Sequence, residues 1–150
     1  ALPEPTANRK TVVDCGGWQD RIADLDTEVW SAPRREEHSL FLSGAYGDAD
    51  RGFALTRDGS LLGDGYVSGD DIGPIATYGP ADQLALLRLA GDFMAEHEIG
   101  TGSIYVISHN ATVIGALLAG GWKINGWTFL LSSEPFGDFT RYVPSGGLLL

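Results

Sequence analysis

The chain has 150 residues, 43% of them hydrophobic and 20% charged, enough for one domain with its own core. No apolar run approaches the roughly 20 residues that span a bilayer, so no membrane contact is expected. A formal net charge of −10 works against nucleic acid, whose phosphates require basic patches, and is compatible with a neutral or cationic partner.

The opening "ALPEPTANRK" lacks the apolar centre of a secretory leader. It reads as an extended, Pro-rich linker over residues 1–15, with the domain over residues 16–150. A start without Met points to a processed chain or a piece of a longer one. The one cysteine, Cys15, leaves no internal disulfide framework and fits a reducing, cytoplasmic setting.

"GGWQDRIADLDTEVW" places Trp18, Ile22, Leu25, Val29 and Trp30 at helical spacing. "SAPRREEHSLFLSGAYG" predicts a second helix, with Ser31 as its cap and Pro33 in its first turn. The texture then changes to strands. Arg57-Asp58-Gly59-Ser60 is a hairpin turn and Gly69-Asp70-Asp71 a second, giving a three-strand meander over residues 52–56, 61–68 and 72–78. Residues 81–98 form the longest predicted helix, with Leu84, Leu87, Gly91 and Met94 on one stripe. "SIYVIS", residues 103–108, is a continuous apolar run, as in a strand buried on both faces. Asn110 caps a short helix that ends at Gly120-Gly121, and "NGWTFLLSS" and "FTRYVPSGGLLL" read as two closing strands.

Strands and helices do not alternate from the start, which excludes a doubly wound dinucleotide fold. The order predicts an α+β domain. Its sheet is mixed but mostly antiparallel, gains a parallel pair through the 81–98 crossover, and carries helices on both faces. His38, His97 and His109 are scattered and show no metal-ligand spacing. Ser108-His109-Asn110 lacks the glycines of a nucleophile elbow, and Gly63-Asp64-Gly65 lacks the strand-to-helix setting of a phosphate loop.

That order, together with Asn110, Val113, Leu117 and Gly121-Trp122 after the predicted strand and "IGPIATYGPADQLALLRL" before it, resembles the GCN5-related N-acetyltransferase (GNAT) family. The resemblance runs from about Trp18 to the C-terminus. "LDTEVWSAPR" and "LLGDGYVSG" are similar to the C-terminal acetyltransferase-like half of tandem bacterial proteins. It implies acyl transfer from acetyl-CoA, or another acyl-CoA, to an amine of a small-molecule or other substrate, with a second GNAT domain or a homodimer as partner.

The resemblance also implies site residues. The backbone of Ile75, Ala76 and Thr77 would pair with the pantetheine arm in a wedge between neighbouring strands. The joint at Tyr78, Gly79, Ala81, Asp82 and Gln83 would hold the pyrophosphate on helix N–H groups. Asn110 would reach the pantetheine. For proton transfer, Asp71 or its neighbour Asp70, with Asp64 as a further candidate, would be the base, and Tyr78 or Tyr66 the acid. Tyr105 reads as core and Trp127 as a possible cleft wall.

The chain departs from the family pattern at the strand-to-helix joint and in the helix after Asn110. "TYGPAD" stands where the family has Arg/Gln-x-x-Gly-x-Gly/Ala, Pro80 has no N–H to donate, and Leu117 replaces the frequent acid tyrosine. These departures support an alternative: a non-catalytic GNAT-like module that binds a substrate, ligand or partner and supports an upstream acetyltransferase domain.

Overall fold

The computed structural model describes residues 10–12, 15–44 and 51–145. Six strands form one mixed sheet: β1 (Lys10–Val12), β2 (Arg51–Arg57), β3 (Ser60–Ser68), β4 (Asp71–Thr77), β5 (Ser103–Ile104) and β6 (Tyr142–Val143). The strands β1 to β4 are paired antiparallel in chain order. The outer edge of β4 is divided. Its first half pairs parallel with β5 and its second half antiparallel with β6. The expected α+β class, with a mostly antiparallel sheet, one parallel pair and helices on both faces, is what the chain adopts.

Local sequence explains most of the elements. Asp58 (φ 50) and Gly59 (φ 75) both take left-handed backbone, as a tight two-residue hairpin loop between β2 and β3 requires. Helix α1 (Gln19–Trp30) buries Ile22, Leu25, Asp26 and Val29 on one stripe against the sheet. Helix α2 (Arg35–Leu42) adds Phe41 and His38 to that layer. The crossover helix α3 (Gln83–Glu96), entered through a 3-10 turn at Pro80–Asp82, covers the other face with Leu86, Leu87, Ala90, Phe93 and Met94. Helix α4 (Ala111–Ala119) joins it through Val113 and Leu117. Among the described residues no helix is long and apolar enough to cross a membrane.

Four expectations are corrected. Lys10–Val12, placed in the linker, pairs with β2 as an edge strand, and Cys15 is fully buried, so ordered structure begins before residue 16. Ser31 takes left-handed backbone (φ 73) and ends α1 instead of starting α2. The run 103–108 pairs with β4 for two residues only, because β6 occupies the rest of that edge; Tyr105 is therefore exposed, not core. Residues 125–133 form no strand, and the last strand is confined to Tyr142–Val143 within the described residues.

The docking of β6 is held from three sides. The Thr77 N–H donates to the Arg141 carbonyl at 3.0 Å, and the Asp138 N–H donates to the Val29 carbonyl near the end of α1 at 2.6 Å. The Arg141 guanidinium bridges Glu28 at 2.6 Å and Asp138 at 2.7 Å. Gly73 (φ 132) lies under the end of β6, where an added Cβ would meet the Pro144 carbonyl oxygen at 2.5 Å. Gly73→Ala is therefore expected to destabilise the fold by about 1–3 kcal/mol from backbone strain alone, with steric overlap adding to it. Urea denaturation midpoints measure this, and an unchanged midpoint would mean that β6 does not seat on Gly73.

Candidate functional site

The wedge implied by the resemblance has one of its two physical requirements. Strands β4 and β5 do separate, since pairing stops after Ile72 and Ile104. The backbone that would line the gap, however, is engaged. Ile75 pairs with Val143, Ala76 pairs with Tyr142, and both the N–H and the hydroxyl of Thr77 donate to the Arg141 carbonyl. All three residues are buried. A pantetheine arm would have to displace β6 to reach them.

Several of the other implied positions bond within the chain, although the buried Gln83 Nε2 has no hydrogen-bond partner among the described residues. Asn110 and Gln83 are buried, and the Asn110 amide donates to Gln83 Oε1 at 2.9 Å. The Asn110 side-chain oxygen accepts from the Val113 N–H at 3.2 Å, capping α4. Asp82, itself buried, brings a carboxylate to the strand-to-helix joint, within 3.3 Å of where a Cβ on Gly79 would stand; Ala81 is exposed beside it. Asp71 accepts a hydrogen bond from the Ser103 hydroxyl, tying β4 to β5, and the Asp70 carbonyl accepts the Ser103 N–H at 2.8 Å. Tyr78 is 38% exposed at the end of β4, and partial burial followed by the nearby Glu28 and Asp24 charges keeps its phenol protonated above the ordinary range. The structure thus brings Asn110 and Gln83 together, but Asp71 and Tyr78 stand at opposite ends of β4.

Beyond β5 lies an open cleft of about 1430 Å³, lined by Tyr105, Ile107, Leu118, Trp122, Trp127 and Phe129 among others. Small-molecule pockets occupy about 300–1,000 Å³ and enclose their ligand, so this broad trough is better shaped for a chain segment than for a compact metabolite. One wall is residues 123–130, and residues 123–131 make no backbone–backbone hydrogen bond to any described residue. Trp127, Phe129 and Leu131 are 80%, 74% and 88% exposed.

A second constellation, buried under α1 and α2, escaped the sequence reading except for Asp64 and Tyr66. The His38 Nε2 meets the Asp26 carboxylate, and its Nδ1 lies 2.7 Å from the Tyr66 hydroxyl. Asp64 sits two residues from Tyr66 on the same face of β3, between Ala54 of β2 and Ala76 of β4. The small alanines leave room for its carboxyl. Arg34, also buried, lies over the rings of Trp30 (5.4 Å) and Tyr142 (5.6 Å). Asp64 Oδ1, Arg34 Nη1 and the Tyr142 hydroxyl have no hydrogen-bond partner among the described residues. Burial, then the Asp26 charge, holds the Asp64 carboxyl well above the usual carboxylate range, against the opposing pull of Arg34. Burial likewise pushes the Tyr66 phenol up, with the Asp64 charge adding to it. The signal for this layer was present: Asp26 falls four residues after Ile22 and three before Val29, in phase with the apolar stripe. With Tyr66, Asp64 and Asp26 each about 1% exposed, the layer has no route for a substrate and serves to lock α1 and α2 onto β3.

Among the described residues no group of three or more His, Cys, Asp or Glu side chains is placed to hold a metal ion. No family model, no curated protein and no solved structure matches the chain.

The titration of Asp64 is measurable. Its folded pKa lies above its unfolded value, so its contribution to stability is full below the ordinary carboxyl range and is lost as pH rises through the folded value. Asp64→Asn removes that loss. Stability of the variant relative to the native chain, from urea denaturation at a series of pH values, is expected to climb as pH rises from about 4. A pH-independent difference would show that the carboxyl ionises freely within the fold.

Proposed function

We propose that the chain is a GNAT-like module that works by binding another polypeptide and does not itself transfer an acyl group. The observation that carries this reading is the occupation of the Ile75–Thr77 edge by β6, which takes the backbone groups that a pantetheine arm would use. The mutual bond of Asn110 and Gln83 and the carboxylate of Asp82 at the joint add to it. A diphosphate seated there would face a negative charge, with Pro80 donating nothing. The working surface in this reading is the open apolar trough beside β5 and its exposed wall.

A second reading, acyl transfer from acyl-CoA to an amine, is favoured by the separation of β4 from β5. It requires β6 to leave its place. Calorimetric titration of acetyl-CoA into the chain decides between them. The binding module predicts no saturable heat at millimolar cofactor. Saturable binding, with amine acetylation that falls on Asp71→Asn and Tyr78→Phe, would overturn it in favour of the enzyme.

A further inference from the structure

We propose that residues 125–133 pair antiparallel with the same residues of a second copy of this chain, about a two-fold axis at Phe129. The inference rests on the binding-module reading and names its partner.

Three features of the segment point to a strand without a neighbour. Its backbone donors and acceptors are unused by the described chain. Its large apolar residues, Trp127, Phe129 and Leu131, recur at every second position, the period of a strand with one buried face. The rings of Trp127 and Phe129 meet edge to face at 5.1 Å, so they already share one side of the segment. Open backbone plus an alternating apolar face is the condition under which strands add to one another.

The pattern selects a second copy as the occupant. An isologous interface must be complementary to itself. In an antiparallel pair, residues directly opposite share a face, so a self-pairing centred on Phe129 sets Phe129 against Phe129 and Trp127 against Leu131. Asn125 then lies against Ser133, and polar meets polar. A register displaced by one residue would set Trp127 against Leu130 but Phe129 against Thr128, and would lose the apolar match. Residues 124–133 carry no charge, so the net charge of −10 is not concentrated at this contact. Lys123 and Glu134 flank the segment at opposite ends, and an antiparallel arrangement brings each towards the oppositely charged end of the other copy.

The area is sufficient. Trp127 and Phe129 alone offer on the order of 300–400 Å². With Leu131, all three at least 74% exposed, the patch passes the few hundred Å² that monomers leave uncovered. Backbone and flanking side chains of a nine-residue ribbon carry it towards the roughly 800 Å² that each partner contributes to a stable interface.

Sedimentation equilibrium on the full chain tests the pairing. The expected result is a concentration-dependent dimer that Phe129→Asp abolishes, because two carboxylates would then face each other on the axis. Circular dichroism checks that this exposed position leaves the fold intact. Phe129→Cys tests the register. It is expected to cross-link to itself under mild oxidation, whereas Trp127→Cys and Leu131→Cys cross-link only when mixed. The native chain, whose one cysteine is buried, gives the background. A native chain that stays monomeric at high micromolar concentration overturns the dimer, and the acetyl-CoA titration still judges the module reading separately. A dimer indifferent to Phe129→Asp, or a Trp127→Cys chain that cross-links to itself best, overturns the interface or its register.

Discussion

The outer edge of β4 is the constraint on which the molecule turns. Two strands from distant parts of the chain compete for it, and each holds part: β5 takes Asp71 and Ile72, and β6 takes Ile75 and Ala76. A parallel neighbour delivered by a crossover helix is fixed at its first residues by the end of α3, and here it peels away at once. The vacated edge would leave buried backbone groups unpaired at a cost of about 1–3 kcal/mol each. The return of the chain at Arg141–Val143 removes that cost. One event therefore completes the core and takes up the backbone groups of Ile75, Ala76 and Thr77.

The second organising feature is the polar layer between the sheet and α1–α2. A core of the same shape could have been apolar, and replacing buried charges by hydrophobic residues is often neutral or stabilising. What the layer adds is direction. Asp26, His38 and Tyr66 come from three different elements and bond in a single chain, so α1 and α2 can seat on β3 in one arrangement. Arg34, stacked on Trp30 and Tyr142, extends the same lock to β6. The two faces of the sheet are accordingly unlike: apolar packing towards α3 and α4, apart from the Asn110–Gln83 bond, and specified polar contacts towards α1 and α2.

Elements governed by local chemistry were legible in the sequence. The Asp58-Gly59 turn, the apolar stripe of α1, the span of α3 and the Asn110 cap all follow from neighbours within a few residues. Features decided by distant partners were not. "SIYVIS" has the composition of a buried strand, but a strand needs an edge, and that edge is claimed by residues almost 40 positions later. "GWTFLL" has strand periodicity and finds no neighbour within the described chain. Asp26 lies in phase with the apolar stripe of α1, but its partners His38 and Tyr66 arrive from other elements, and no local pattern names them. Of the residues the resemblance implied, Asn110 and Gln83 bond to each other, Ile75, Ala76 and Thr77 are taken by the chain's return, and Tyr78 and Ala81 remain exposed.

The placement of Cys15 has a practical consequence. Its thiol is fully enclosed at the start of the α1 layer, and it lies close enough to Tyr66 and Leu42 that only the missing side chain of Gly52 makes room for the three. A reagent that modifies sulfhydryls can reach it only when this layer lifts from the sheet. The rate of labelling in the folded protein is thus a built-in clock for the opening of this face of the sheet.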